Sequence, residues 1–211
     1  MNGIGPLSDF HLDLIREIGN IGAAHATTSL AKLTGTRIEM SVPSARLLRL
    51  ADVGALVGEE RTVAAAYLAF GGDIEGSIFL LFPPDGVRAL LRRLLPGIEA
   101  ASGAEDGFSP LEWSAFKEVG NILAGSLLSA LADFTGLRIV PGVPDATVDM
   151  GQAILVYGLL EAGKVGDVAL VIDATMKGPS PDEAAIEAQL FLFPSPDALE
   201  TIFRALGVSG P

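Results

Sequence analysis

Two pairs of residues in this chain could do chemistry together: Glu17 with Asn20, and Glu118 with Asn121. The spacing is the same in both pairs, and on a helix it sets the two side chains nearly one turn apart on one face. A carboxylate can meet a cation or take a proton, while a carboxamide donates and accepts hydrogen bonds at once. Asp13 lies one turn before Glu17, and Ser114 one turn before Glu118. On a wheel of about 100° per residue with Asp13 at zero, Glu17 falls near ~40° and Asn20 near ~−20°. Leu14, Ile15, Ile18, Ile21 and Gly22 fall opposite, between about 80° and 200°. The second segment repeats this: Ser114, Glu118 and Asn121 form the stripe, and Ala115, Phe116, Val119, Ile122 and Leu123 the apolar face.

The pairs recur because the chain repeats itself. The stretch DLIREIGNIGAAHATTSLAKLTGTRI, from Asp13, aligns without gaps on SAFKEVGNILAGSLLSALADFTGLRI, from Ser114. Glu17, Gly19 and Asn20 meet Glu118, Gly120 and Asn121; Thr34-Gly35 meets Thr135-Gly136; Pro43 meets Pro144. The ends match too, Ile78–Phe82 resembling Leu190–Phe193, each followed by an Asp (Asp85, Asp197) and a helical pattern. Around the stripe the halves diverge: Arg16 against Lys117, His25 against Ser126, Thr27 against Leu128. The residues alone leave two readings open. A duplication can retain exposed polar groups without use, or Glu and Asn are kept because chemistry requires them.

The elements that must position these pairs are two long helices, expected over Asp9–Leu33 and Ser109–Phe134. Ser8 or Asp9 signals the first start, and Ser109 with Pro110 and Glu112 the second. Gly35 and Gly136 are the expected stops. Strands are expected near Arg37–Val42, Val63–Phe70, Ser77–Phe82, Arg138–Val140, Asp167–Thr175 and Ala188–Phe193. Shorter helices are expected near Ala51–Val57, Asp85–Leu95, Met150–Leu160 and Pro196–Leu206. Gly19, Gly22, Gly120 and Gly125 each cost about 1 kcal/mol against Ala in a helix, which a close backbone approach would offset. Pro43 and Pro144 are read as fixing turns at strand ends. Pro96–Gly107 reads as a linker, and Met176–Glu183 as a surface loop holding the extra residues of the second half. The expected fold is α+β: two pseudo-symmetric repeats, about 9–97 and 108–207, sharing a β-sheet core in a single domain over 1–211, with two long surface helices carrying the sites.

Composition narrows the function. The chain has no cysteine, which excludes disulfides and thiolate chemistry, and its two histidines, His11 and His25, exclude a His-rich metal site. A formal charge of −12 argues against nucleic acid, whose phosphates need clustered Lys and Arg. It fits a basic protein surface as partner, or solubility alone. The N-terminal residues lack the basic flank and apolar run of a signal peptide, and no apolar run is long enough to span a bilayer. The expectation is a cytoplasmic protein without membrane insertion.

Asp13-x3-Glu17-x2-Asn20-x22-Pro43 and Ser114-x3-Glu118-x2-Asn121-x22-Pro144 resemble the paired signature of CheC-type chemotaxis phosphatases, a group that includes CheX and FliY. Both copies are complete, and the resemblance runs over nearly the whole chain, including the terminal FPSPDALETIFRALGV. It implies a pseudo-twofold fold with two separated surface sites, and as substrate the aspartyl-phosphate of a CheY-type response regulator. By resemblance, Asn20 and Asn121 orient the attacking water, and Glu17 and Glu118 pair with the active-site lysine of the regulator. A general-base role for either Glu is the weaker alternative, because an exposed carboxylate is a poor base for water. Asp13, Ser114, Pro43 and Pro144 support the motif. No cofactor of its own is implied; Mg²⁺ belongs to the partner regulator. Two other readings stay open: a non-catalytic partner of the receptor deamidase CheD, and a phosphatase for a regulator outside chemotaxis.

Overall fold

The structure is a computed structural model. It describes residues 9–35, 37–58, 61–95, 108–162, 168–178 and 184–207, and of 157–162 the backbone alone. The expected linker over Pro96–Gly107 lies outside the described residues, and so does most of the Met176–Glu183 loop.

The first half runs helix, strand, helix, two strands, helix, and the second repeats this order with its first strand split in two. The first half contains α1 (Asp9–Thr34), β1 (Glu39–Arg49), α2 (Leu50–Val57), β2 (Thr62–Gly72), β3 (Gly76–Phe82) and α3 (Pro84–Leu94). The second contains α4 (Pro110–Thr135), β4 (Ile139–Pro141), β5 (Asp145–Met150), α5 (Gly151–Ala162), β6 (Val168–Lys177), β7 (Ile186–Pro194) and α6 (Ala198–Ala205).

The strands form one antiparallel sheet in the order β1-β6-β7-β3-β2-β4, with β5 also pairing β2. The halves exchange their edges: β1 pairs with β6, while β4 and β5 pair with β2. At the centre β3 meets β7, and Phe79 stands directly opposite Phe191. Each half alone holds one paired hairpin, β2–β3 or β6–β7, and the rest of the sheet is paired between the halves.

Strand alternation gives the sheet two apolar faces. Ala64, Ala66, Ile78, Leu80, Leu170, Ile172 and Leu192 face a core shared with α1, α3, α4 and α6. Ala65, Phe79, Leu81, Val171, Phe191 and Phe193 face a smaller core under α2 and α5. There Tyr67 stacks on Phe79 at 5.6 Å, and Phe79 meets Phe193 edge-on at 5.5 Å. Side chains buried this fully contribute roughly 1.5–3 kcal/mol each.

The ends of α4 follow the sequence signals. Ser109 caps the helix by accepting from Glu112 N at 3.2 Å, and the Glu112 carboxylate accepts from Ser109 N at 2.7 Å. Gly136 ends the helix in the left-handed conformation, φ 69°, as Gly35 does after α1, φ 67°. Both conformations are ones glycine adopts without steric cost.

Three expectations need correction. The first strand does not stop at Val42 but runs to Arg49, because β6 supplies a partner along its whole length. Pro43 therefore lies within a strand rather than at its end; it sits where the β1–β6 register shifts between Ser41 and Ser44. An edge-strand bulge is a place where a residue without an N–H is tolerated. The strand β5, absent from the sequence reading, follows Pro144 and pairs with β2. Its residues, Asp-Ala-Thr-Val-Asp-Met, carry too few β-branched or aromatic side chains to announce a strand.

Candidate functional site

The two site helices seat on the sheet through the glycine that precedes each asparagine. A Cβ at Gly19 would lie 3.3 Å from Val42 Cγ1, and one at Gly120 would lie 2.6 Å from Ala66 Cβ. The helices also touch each other, since a Cβ at Gly22 would come within 3.0 Å of Leu127 Cα. These glycines bear out close packing. Gly125 does not: a Cβ there would meet nothing within 4 Å.

Seated this way, each helix turns its apolar face down and its polar stripe outward. Glu17 and Glu118 are exposed, and Asn20 and Asn121 are half-buried beside them. Asp13 and Ser114 are exposed one turn earlier. Asp13 pairs with Arg16 at 2.9 Å, and Ser114 Oγ donates to Pro110 O at 3.0 Å, so both brace the helix locally.

The basic residue before each Glu is turned away from it. Arg16 is taken by Asp13, and Lys117 by Asp145 at 2.7 Å. Among the described residues neither Glu17 nor Glu118 has an ion-pair or hydrogen-bond partner. Each site therefore offers an open carboxylate and a carboxamide one turn away, which suits an incoming cation beside a group needing orientation.

The two sites differ at the strand beneath them. At the first, Val42 N donates to Asn20 Oδ1 at 3.0 Å. This contact gives the long gap between Asn20 and Pro43 a physical meaning: the bulge at Pro43 turns the preceding N–H toward the helix. The bulge is braced from behind by Asp173, which accepts from Ser44 Oγ, from Arg46 Nη2 at 2.9 Å and from Gln189 Nε2 at 3.1 Å. At the second site the strand is broken between β4 and β5, and Val143, the counterpart of Val42, is 90% exposed. Pro144 sits at this break, as expected for a strand end. Among the described residues Asn121 has no hydrogen-bond partner.

The second site is instead braced by charge. The hydrogen bond from Lys117 holds the Asp145 carboxyl below the usual carboxylate range, with the Ala146 N–H, the Lys117 charge and Tyr67 adding to it and partial burial opposing. The Lys117–Asp145 pair joins α4 to the first residue of β5. Sequence reasoning missed this pair and the Val42 contact; the constant gap to the proline was the available signal for the second of these.

Among the described residues no group of three or more His, Asp or Glu is placed to hold a metal ion, and no helix is long and apolar enough to cross a membrane.

Comparison with known proteins agrees with this geometry. The model of the CheC-like family matches residues 10–46 and 111–148, the two segments that carry the sites. Across 99% of its length the chain is 38% identical to the CheY-P phosphatase CheC of Bacillus subtilis (strain 168), covering 98% of that protein. It is 26% identical to CheC1 of Halobacterium salinarum, over 92% of this chain and 95% of that one. Among solved structures it is similar to Thermotoga maritima FliY, with a TM-score of 0.74 over 95% of this chain and 98% of the other; at 18% identity this bears on the fold alone. With two complete copies of the motif on helices built alike, and over a third of its residues shared with a CheC across nearly the full length, the chain belongs to the CheC-like family.

Proposed function

We propose that this protein is a phosphatase that hydrolyses the aspartyl-phosphate of a CheY-type response regulator, with one site at Glu17 and Asn20 and another at Glu118 and Asn121. The observation that carries the reading is the repeated pair itself: an open carboxylate and a half-buried carboxamide, one turn apart, on both site helices. The name of the Bacillus subtilis relative, a CheY-P phosphatase, supports the substrate.

The division of labour follows from the groups. Each Glu pairs with the lysine of the regulator's active site and fixes the docking geometry. Each Asn enters that site, accepts a hydrogen bond from water and donates one to a phosphoryl oxygen, so that the water stands in line with the phosphorus. The Mg²⁺ that offsets charge on the phosphoryl oxygens is held by the regulator. The amide takes no proton; its contribution is orientation.

The test is loss of phosphate from acetyl-phosphate-labelled CheY in the presence of wild type, Asn20→Ala, Asn121→Ala and the double variant. Loss of one preorganised group lowers the rate at its own site on the order of 10²-fold. Each single variant therefore keeps the other site's share, and the double variant loses nearly all. Wild type that leaves the decay unchanged, while folded, sinks the phosphatase reading and moves weight to the binding role with CheD that the resemblance implies.

A further inference from the structure

Both site helices carry a large apolar side chain where a helix facing only water would not need one. Phe10 is 63% exposed on α1, and Leu111 is 50% exposed on α4. They occupy the same place in the two repeats, each seven residues before its Glu. Seven residues rotate a helix by about 700°, which returns to within ~20° of the starting face and rises about 10 Å. Phe10 and Leu111 thus stand two turns from Glu17 and Glu118 on the same outward stripe.

The backbone presenting them is fixed although the side chains are not covered. His11, next to Phe10, packs edge-on against Phe203 of α6 at 4.8 Å between ring centroids. Glu112, next to Leu111, is buried in the cap with Ser109. Trp113 packs on Phe108 at 5.2 Å, and Arg88 of α3 lies 5.0 Å over the Phe108 ring. Anchored helix starts holding an apolar group in solvent, twice, on the face that carries the polar pair, are what an interface with an apolar centre and a charged rim requires.

We infer that Phe10 and Leu111 are positioning residues for the substrate protein: they dock against an apolar patch of the regulator's receiver domain and set the reach of the nearby Glu and Asn. This rests on the phosphatase reading and names the contact that gives its sites their affinity. They touch no reacting atom, so their loss weakens docking and leaves chemistry intact once the complex has formed. Leu33 and Phe134 provide the control. They are also exposed and also pseudo-equivalent, 51% and 44%, but lie sixteen residues beyond each Glu, about 160° round the helix from it.

The experiment compares initial rates over a range of phosphorylated CheY for the full chain as wild type, as Phe10→Ser with Leu111→Ser, and as Leu33→Ser with Phe134→Ser. Binding of the same proteins to CheY carrying beryllium trifluoride is titrated in parallel. The expected result is a KM and Kd raised about tenfold or more in the first variant, with kcat within twofold. The second variant keeps both constants, and Phe10→Leu in an Asn121→Ala background keeps the KM of site one. Hydrolysis by wild type with unchanged KM and Kd in the Phe10, Leu111 variant overturns this inference and leaves the phosphatase reading standing. A wild type that binds the beryllium trifluoride form without hydrolysing overturns the phosphatase reading, while the Kd values still decide the docking role. Equal losses in both serine variants mean a general apolar effect and also overturn it, as does a change of oligomeric state confined to the Phe10, Leu111 variant, which would assign the face to a second copy of this chain.

Discussion

The backbone N–H of Val42 donates to Oδ1 of Asn20 at 3.0 Å, while Asn121, the counterpart of Asn20, has no such partner among the described residues. The bond fixes the amide's orientation and takes one lone pair of the Asn20 oxygen; the other lone pair and the NH₂ group remain for a water and a phosphoryl oxygen. Asn20→Ala leaves the N–H of Val42, a residue 5% exposed, without an acceptor. That substitution costs about 1 kcal/mol of stability, and Asn121→Ala costs a few tenths at most. Asn20→Asp keeps an acceptor for Val42 and removes the donor. It therefore retains stability and loses the first site's share of phosphatase activity. Urea denaturation beside CheY dephosphorylation separates the two effects.

The helix glycines divide in the same measurable way. Gly120→Ala sets a methyl group 2.6 Å from Ala66 Cβ, which lifts α4 off β2 beside Asn121. It costs about 1–3 kcal/mol and lowers the second site's activity. Gly125→Ala meets nothing within 4 Å and stabilises by up to about 1 kcal/mol, because Ala is the better helix former. Equal destabilisation by both would show that the glycines act through the helix backbone and not through the seat on the sheet.

These contrasts mark where the sequence stopped being legible. The stripe of Glu17 and Asn20, its repeat at Glu118 and Asn121, and the stop at Gly136 all depend on helix periodicity and caps, which are local. The Val42 contact, the long β1 and the seat of Gly120 on Ala66 depend on which strand lies beneath each helix. The exchanged edges decide that: β1 is extended by β6 from the other half, and β5 exists because β2 offers it an edge. Gly120 and Gly125 look alike in the sequence, and only the sheet under the first distinguishes them. The difference between the two sites arises the same way, from a bulge at Pro43 and a break at Pro144 in otherwise matching motifs.

The cap of α4 offers a test of how far helix order reaches the site. Ser109→Ala removes the acceptor for Glu112 N and unties the box, at a cost of about 1 kcal/mol. Asn121 lies three turns further along, inside the packed part of the helix. In an Asn20→Ala background, Ser109→Ala is expected to lower Tm and leave kcat within twofold. If kcat falls as far as in the double asparagine variant, the helix start contributes to the site directly.

Lys117 and Asp145 provide the pH dependence. The hydrogen bond from Lys117 holds the Asp145 carboxyl below its ordinary value of 3.8. A carboxyl depressed on folding adds stability above its unfolded value, and that stability is lost as pH falls through the folded one. Both side chains are well exposed, 41% and 56%, so solvent and salt screen the pair and its contribution stays below about 1 kcal/mol. Wild type is therefore slightly more stable than Asp145→Asn at pH 7. The gap is flat from pH 6 to 8, narrows below about pH 4 as Asp145 protonates, and shrinks in high salt. Guanidinium is unsuitable for this measurement because it is itself a salt; urea at several pH values is required. Phosphatase activity should stay flat between pH 6 and 8 in both proteins, since the Asp145 carboxyl, held below 3.8, stays ionised throughout that range. A gap that widened as the pH fell would give the interaction the wrong sign and assign the bracing of α4 on β5 to Tyr67 and the strand in place of the ion pair.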